Sequence, residues 1–296
     1  MTSLKVSILM NCHNGELFLD RALASVLNQT YENWELIFYN NAATDNTKKI
    51  FLSYSDKRFK YYECENKKNL VEARNSAIQF LTGEWIAILD ADDSWEVNKL
   101  ALQINQLSVD ASFSPGLIFS RCNIREGDQV YELPKKNFSS KNIVENLLSL
   151  DLSIPWSSVL FKRDLLDQIK KFNELYPSFH DLDFLIKCSK ITKFSHVNKT
   201  LVTVTFHQQS LSSQNKNNGQ YFLEIINILA PHSKNNDFAL MGICKMKTRY
   251  LFTLIKNLQL KSFFLELRFI STKEFFYIFK IIIGKFLKKE SKIFGM

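Results

Sequence analysis

The chain has 296 residues, of which 46% are hydrophobic, and a formal net charge of +8 at pH 7. This length is typical of one large α/β domain, or of a domain of about 200 residues with an appendage. The 5 cysteines form no Cys-X-X-Cys pair, so they argue against a zinc site or a disulfide framework and favour reduced thiols in the cytosol.

The first 125 residues alternate between short apolar runs and stretches with helical spacing. Because such a βαβα series predicts a parallel sheet covered by helices on both faces, the expected fold class is α/β. Strands are predicted at 6–10, 34–39, 59–63, 85–90 and 117–123, and helices at 15–29, 44–54, 70–81 and 98–107.

The pattern loosens between about residues 125 and 180, where prolines and polar stretches predict loops and short helices laid over a site. A helix is predicted at 181–190 and a strand at 200–206. Residues 208–218 are rich in Gln, Ser and Asn, which predicts a mobile loop or hinge. From residue 221 the chain is predicted to be helical to its end.

The C-terminal tail carries the whole basic excess, since residues 234–296 contain 13 Lys and Arg against 4 Asp and Glu. Its regularly spaced Phe and Lys predict one or two amphipathic helices that bind an anionic membrane surface. A helical domain that packs on the catalytic core or forms an oligomer explains the tail equally well. Nucleic acid is a poorer partner, because large aliphatic residues interrupt the charge.

No segment is expected to cross a membrane. The N-terminus lacks the apolar region of a secretory signal. The longest apolar runs of the tail, near 275–279 and 281–283, are far shorter than the roughly 20 residues that span a bilayer.

Three carboxylates, those of Asp90, Asp92 and Asp93, follow the fourth predicted strand. In an open α/β sheet, ligands bind at the carboxyl ends of the strands. Carboxylates this close repel one another unless a cation or a polar ligand compensates for their charge. The simplest such ligand is Mg²⁺ or Mn²⁺ carrying the phosphate oxygens of a nucleotide diphosphate.

Four ordered motifs resemble the nucleotide-binding half of family 2 inverting glycosyltransferases, of the type that makes bacterial surface polysaccharides. They are Val6–Glu16, Ala24–Ile37, Ala73–Ile78 and Gly83–Asp93. The resemblance is dense over 4–107 and sparser over 154–213. It implies a GT-A catalytic domain at 1–218, with a mainly parallel sheet, a nucleotide-binding half at 1–107 and an acceptor-side half at 108–218. A helical basic extension follows at 219–296.

The resemblance implies that Asp92 binds a divalent metal and that Asp90 contacts the ribose or the metal shell, with Asp93 in support. A solvated acidic turn that caps the next helix is the alternative. His207 would approach the metal or the diphosphate, and imidazole suits Mn²⁺ better than Mg²⁺. Where relatives often carry Arg two residues before this His, the chain has Thr205.

The first two strand ends resemble the parts of the family that hold the nucleotide. Asn11 and His13 would pack against the base and ribose, with the ring of His13 as a flat wall. Asn40 and Asn41 stand where relatives carry one or two Asp, and an Asn oxygen can still accept a hydrogen bond from the base. The missing charge would weaken donor binding or alter base preference, or both Asn residues only shape the turn.

Arg74 follows the third predicted strand, where the resemblance places it beside the donor site. It would face the diphosphate or the acidic cluster, and a structural salt bridge to the carboxylates is equally consistent with the sequence.

An inverting transfer needs a base that takes the proton of the acceptor hydroxyl. His180, Asp181 and Asp183 resemble the family's Glu-Asp-X-Asp motif with His in place of Glu, which makes Asp181 the matching base. His180 is the alternative base, and two acids that complement a helix N-terminus are the structural alternative. Trp156 lies where relatives shape the acceptor site, so it would stack on a sugar unless it is buried in the core.

The expected function is therefore that of a metal-dependent hexosyltransferase that uses a UDP-sugar and a glycan or lipid-linked acceptor. Two rivals remain. A nucleotidyltransferase would normally show a basic Gly-rich loop after the first strand, whereas residues 11–15 have no Lys or Arg. The other rival is a catalytically inactive binding or scaffold protein, because the chain departs from the family pattern at Asn40, Asn41, His180 and Thr205. The expected location is the cytoplasm, with peripheral contact at the inner membrane face.

Overall fold

The computed structural model describes residues 4–107, 114–134, 142–208, 210 and 219–257, and within 259–282 it describes 259, 262, 266–267, 270–279 and 281–282. The chain divides into two compact units. One is drawn from Met1–Ile143 and Leu152–Gln208, and the other from Val144–Asp151 and Gln209–Met296. The predicted hinge at 208–218 lies, apart from residues 208 and 210, outside the described residues.

The first unit contains a sheet whose described strands are β1 (Val6–Cys12), β2 (Trp34–Asn41), β3 (Phe59–Cys64), β4 (Trp85–Ile88), β5 (Ser94–Trp95), β6 (Leu117–Glu126), β7 (Gln129–Leu133), β8 (Leu160–Lys162) and β9 (Phe194–Phe206). Their order is β3-β2-β1-β4-β8-β6-β9-β5, with β7 paired to β6. β1 to β4 are mutually parallel, whereas β8 is antiparallel to both β4 and β6.

The described helices are α1 (Leu19–Leu27), α2 (Thr47–Leu52), α3 (Leu70–Ala77), α4 (Lys99–Gln106), α5 (Ile143–Leu148), α6 (Asp164–Gln168), α7 (His180–Ile191), α8 (Gly219–Leu229) and α9 (Asp237–Lys256). Short 3-10 turns lie at Ile78–Phe80, Trp156–Ser158 and Ala230–His232. A further helix spans 272–279.

The first four strands explain why the sequence pattern was informative there. β1, β2 and β4 are buried almost along their whole length, as expected of parallel strands covered on both faces. One face of β1, with Val6, Ile8 and Met10, lies in the main hydrophobic core. All predicted elements of the first 125 residues are present, so the α/β prediction is confirmed.

The prediction of only loops and short helices between 125 and 180 was wrong. β7 and β8 lie there, and β8 occupies an interior position of the sheet between β4 and β6. A strand of three residues has too short a pattern to be read from sequence. Its pairing depends on two strands that are distant along the chain.

The second unit is helical in its described part, as predicted. Lys247 binds Glu274 at 2.7 Å, which connects α9 to the helix at 272–279, and Lys273 binds Asp237 at 2.8 Å. Residues 144–151 also belong to this unit, and Lys245 contacts Asp151 at 2.6 Å. Among the described residues, no helix has the length and apolar character to traverse a bilayer. The predicted tail positions 263–265, 269, 280, 283 and 285–289 lie outside the described residues.

Candidate active site

The acidic turn after β4, residues 90–93, lies at the carboxyl end of the parallel strands. The Asp93 N–H donates to the Asp90 carbonyl at 3.0 Å, which closes the turn. The Asp90 N–H donates to Ser157 Oγ at 3.1 Å. The three carboxylates then take different partners from different parts of the first unit.

Asp93 joins the acidic turn to two distant segments. Its carboxylate accepts hydrogen bonds from the Ser157 hydroxyl at 2.5 Å and from the Thr205 N–H at 3.1 Å. The residue is only 3% exposed. Burial raises the pKa of Asp93 well above its usual value, and the neighbouring Asp92 and Asp90 add to this rise. Its contacts are those of a supporting residue.

Asp92 and His207 are brought together although 115 positions separate them, with Nε2 and Oδ2 3.0 Å apart. Burial raises the pKa of Asp92, the nearby Asp90 raises it further, and the hydrogen bond from His207 opposes the rise. Phe18, directly before α1, stacks on the imidazole with ring centroids 4.3 Å apart. The imidazole therefore has a defined orientation beside the carboxylate.

Asp90 has a buried cationic partner. Arg74 on α3 is 2% exposed, and its guanidinium contacts both the Asp90 carboxylate and Nε2 of His180. Because a guanidinium only donates, Nε2 must accept and the imidazole proton belongs on Nδ1. Burial lowers the pKa of His180 far below its usual value, and Arg74 lowers it further. These contacts favour the structural salt bridge for Arg74 and disfavour His180 as a base.

Asp181 lies in the first turn of α7, partly exposed, and its carboxylate accepts the Leu182 N–H at 2.8 Å. Among the described residues, no side chain donates a hydrogen bond to it. Burial raises the pKa of Asp181 to about 6, against the opposing effects of Leu182 and Arg74, and Asp90 contributes to the rise. Asp181 is thus within electrostatic reach of the acidic turn.

Asp183 differs from its neighbour, because its carboxylate binds Lys187 one turn later on α7 at 2.6 Å. The residue is 8% exposed. These contacts favour a structural role for Asp183 near the helix N-terminus.

The side-chain amides of both Asn residues at the end of β2 form hydrogen bonds with other groups of the protein. Asn40 donates to the Tyr61 hydroxyl at 2.8 Å and accepts the Ala43 N–H at 2.9 Å. Asn41 donates to the Lys68 carbonyl at 2.8 Å and accepts the Lys68 N–H at 2.9 Å. These contacts favour the turn-shaping alternative, and a role in base recognition stays a prediction.

The end of β1 has a different character. The amide nitrogen and oxygen of Asn11 are both buried and have no hydrogen-bond partner among the described residues. Leaving such atoms unsatisfied is costly, so they favour a polar ligand. Nδ1 of His13 lies 2.9 Å from the Asn41 carbonyl, which connects the first two strand ends.

Position 15 requires glycine because a side chain would not fit there, and not because of its backbone conformation. A Cβ at this position would lie 2.4 Å from Sγ of Cys12. The left-handed conformation of this loop is taken by Asn14, with φ of 55°.

Trp156 is 6% exposed and packs within an aromatic cluster. Its ring meets Phe184 edge-on at 5.3 Å between centroids, and Phe172 and His180 edge-on at 5.8 and 6.0 Å. This burial favours the core alternative over stacking on an acceptor sugar.

Three residues of the site were missed from sequence: Phe18, Arg21 and Ser157. Arg21 on α1 donates from Nη2 to the Asp92 carbonyl at 2.5 Å and to Thr205 Oγ1 at 2.8 Å. No local pattern marks these residues, since the partners of Arg21 are 71 and 184 positions away. Only the spacing of Phe18 and Arg21, one helical turn apart, could have linked them.

The side chains of Asp92 and His207 are suitable ligands for a divalent cation. Within the described part of the chain, no group of three or more His, Cys, Asp or Glu side chains is arranged to hold a metal. Asp92 in the acidic turn and His207 after β9 nonetheless offer a carboxylate and an imidazole 3.0 Å apart, and the nearby Asp90 raises the pKa of Asp92. Since Mg²⁺ is typically held by one or two carboxylates plus substrate phosphates, two protein ligands are consistent with such a site.

The family model described as glycosyl transferase family 2 matches residues 7–169, which covers the acidic turn and β1 to β8. The chain belongs to this family. Over 215 residues it is 32% identical to the UDP-Glc:alpha-D-GlcNAc-diphosphoundecaprenol beta-1,3-glucosyltransferase WfgD of Escherichia coli, covering 71% of this chain and 80% of that protein. The predicted family and glycosyltransferase activity are thereby confirmed.

Two further comparisons extend over most of this family 2 chain. The amylovoran biosynthesis glycosyltransferase AmsB of Erwinia amylovora is 26% identical over 287 residues, covering 93% of each chain. The mannosyltransferase PcManGT of Pyrobaculum calidifontis, solved with GDP-Man and Mn²⁺, matches with a TM-score of 0.60 and 15% identity. That match covers 94% of this chain and 84% of the mannosyltransferase, and it confirms the predicted GT-A fold.

Proposed function

We propose that this family 2 enzyme is a metal-dependent inverting glycosyltransferase that moves a sugar from a UDP-sugar to a lipid-linked glycan in surface-polysaccharide synthesis. The pairing of Asp92 with His207 beside Asp90 is the observation that carries the proposal. WfgD, named for UDP-Glc and a diphosphoundecaprenol acceptor, supports the donor and acceptor classes. The solved mannosyltransferase with Mn²⁺ supports the metal.

Asp92 and His207 would hold the metal, which when bound neutralises the charge on the leaving diphosphate. Asp93 keeps the turn in place through Ser157 and Thr205. The unsatisfied amide of Asn11 would bind the nucleoside, and His13 would line that side of the site. Arg74 would act through Asp90, since its guanidinium is already paired with that carboxylate.

Asp181 would take the proton of the acceptor hydroxyl as that oxygen attacks the anomeric carbon. Burial raises the pKa of Asp181 to about 6, so the carboxyl is mostly ionised at pH 7 and more basic than an ordinary Asp. A carboxylate also tolerates the positive character of the transition state. Asp181 is partly exposed, and no side chain among the described residues donates to it, which supports this role.

The second unit would bring the enzyme to a lipid-linked acceptor. Three Phe side chains of the helix at 272–279 are more than half exposed: Phe275 at 60%, Phe276 at 59% and Phe279 at 52%. They lie in the basic segment of the chain, and basic residues with aromatic anchors favour an anionic bilayer surface.

Vesicle sedimentation tests this membrane contact. We expect the triple variant Phe275→Ser, Phe276→Ser, Phe279→Ser to lose binding to vesicles of phosphatidylglycerol and phosphatidylethanolamine. Val130→Ser removes a comparably exposed side chain on β7, at 55%, and should bind as the unmodified protein does. Equal binding by all three proteins would contradict the membrane role.

The donor is tested by calorimetric titration of UDP, GDP and dTDP into the purified protein, with Mn²⁺ and with a chelator. We expect UDP to bind more tightly than the other two and to need the metal. Selective metal-dependent binding of GDP would keep the family and reject the UDP donor. Failure of a folded protein to bind any of the three would reject the proposal.

Transfer is then tested with UDP-sugars and a GlcNAc-diphospholipid acceptor. An inverting reaction gives a product whose anomeric configuration is opposite to that of the donor, which nuclear magnetic resonance distinguishes. A product that retains the donor configuration would contradict the assignment of a single base.

A further inference from the structure

We propose that Arg21 binds the diphosphate of the donor and, together with the metal, stabilises it as it leaves. This inference rests on the proposed function, and it assigns a role to a residue on α1 that the family motifs quoted above do not include. The inference rests on the contacts of the Arg21 guanidinium, on its charge and on the nearby Phe18.

The guanidinium of Arg21 lies against the residue that would hold the metal. Nη2 donates to the backbone carbonyl of Asp92 at 2.5 Å and to Thr205 Oγ1 at 2.8 Å. The carboxylate of Asp92 lies in turn 3.0 Å from His207. Diphosphate oxygens bound beside Asp92 and His207 would therefore be next to the guanidinium.

The charge of Arg21 is not neutralised by these contacts. Both acceptors, a carbonyl and a hydroxyl, are uncharged, and among the described residues Arg21 forms no ion pair with a carboxylate. Two hydrogen bonds through Nη2 leave the Nη1 and Nε donors of the five on a guanidinium. Because the planar fork suits bidentate phosphate binding, these donors match a diphosphate.

Arg74, the other arginine beside the acidic turn, has the opposite charge balance. It is 2% exposed, and its charge is compensated by the Asp90 carboxylate. Arg21 is exposed. A ligand that needs a positive charge would therefore meet Arg21, whereas Arg74 orders the protein side of the site.

α1 connects this cation to the metal-binding pair. Phe18 stacks on His207 at 4.3 Å between ring centroids, and Arg21 follows three positions later. Phe18 is the N-cap of α1 and Arg21 lies in the first turn of that helix. One turn of chain thus orients the imidazole and places the guanidinium beside it.

The experiment compares how tightly UDP and uridine bind to matched variants in the presence of Mn²⁺. Arg21→Gln removes the charge and keeps polar character. Arg21→Lys keeps the charge without the planar fork. Arg163→Gln is the control, because Arg163 is also exposed and lies at the start of α6. Among the described residues, its guanidinium donates only to the Leu81 carbonyl, at 3.4 Å.

We expect Arg21→Gln to weaken UDP binding by about 10-fold to 100-fold, in line with a charge-assisted hydrogen bond. Uridine has no phosphate, so its affinity should stay within about 3-fold of the unmodified protein. Arg21→Lys should be intermediate for UDP. Arg163→Gln should match the unmodified protein for both ligands, and all variants should keep their melting temperature within a few degrees.

Other results separate this inference from the proposed function. If the unmodified protein binds UDP and Arg21→Gln binds it equally well, Arg21 has no diphosphate role and the proposed function stands. If Arg21→Gln weakens UDP binding with Mn²⁺ but leaves it unchanged with a chelator, Arg21 only fastens the acidic turn around the metal and does not bind the diphosphate. If the unmodified protein binds no UDP, the proposed function and the role of Arg21 fail together.

Discussion

Carboxylates cluster at two places in the first unit, the acidic turn after β4 and the first turn of α7, and the two clusters are satisfied differently. In the acidic turn, each carboxylate contacts a side chain from a distant segment. In α7, Asp183 is paired with Lys187, whereas Asp181 accepts only a backbone N–H among the described residues. The carboxylates with side-chain partners are thus suited to binding a ligand or supporting the site. Asp181, which has no side-chain partner among the described residues, is suited to proton transfer.

Removing the unpaired acid tests the comparison most strongly. Asp181→Asn should lower kcat of sugar transfer by about 100-fold to 10,000-fold, the usual contribution of a general base. UDP affinity measured by calorimetry should stay within about 3-fold, because Asp181 does not belong to the acidic turn. A variant that keeps its turnover would show that another group takes the proton.

Changing Asp92, an acid of the acidic turn, should instead weaken binding of the donor nucleotide. Asp92→Asn keeps the shape of the side chain and removes the charge that faces His207. We expect the gain in UDP affinity caused by Mn²⁺ to fall by roughly 100-fold, since even residues that only support a metal ligand contribute 10-fold to 100-fold. Titrations with and without the metal measure this gain, and an undiminished gain would place the metal elsewhere.

The pH dependence sharpens the difference between the two clusters. Because burial raises the pKa of Asp181 to about 6, kcat/KM should be constant above this pH and fall about tenfold for each unit below it. The same rise means that ionised Asp181 destabilises the fold as pH increases from about 4 to 6. Asp181→Asn should therefore raise the free energy of unfolding at pH 7 by about 1 kcal/mol, measured by urea denaturation, with a smaller gain at pH 4.

The paired acid of α7 should matter least for activity. Asp183→Asn removes the ion pair with Lys187 and a favourable charge near a helix N-terminus. We expect a loss of about 1 kcal/mol in the free energy of unfolding and a change of less than about 3-fold in kcat. A loss of activity as large as that of Asp181→Asn would show that the two acids act together.

Much of the donor half could be predicted from sequence, because its signals are local. The apolar run of β4 followed by Asp90 and Asp92 indicates a buried strand that ends at a ligand site. The helix at 180–191 and its first-turn acids were also predicted, since helical spacing and acidic residues at the start of a helix are local features.

For two other residues, the surroundings favour one of two interpretations that the sequence had left open. Trp156 had two consistent sequence interpretations, and the aromatic cluster around it favours the core. Arg74 likewise had two, and its burial with Asp90 favours the salt bridge. In both cases the residue type was informative about chemistry, and only burial distinguished a ligand contact from a packing contact.

The sequence by itself determined the parallel donor half and the acidic turn, because strand and helix periods repeat within a few residues. The candidate base, Asp181, came from the resemblance of residues 180–183 to a family motif. The family resemblance had already implied that Asp92 and His207 meet at the metal. Tertiary structure alone decided the place of β8 and the contact of Arg21 with Thr205 across 184 positions. These contacts depend on how distant segments pack around the sheet, and no period within a segment carries that information.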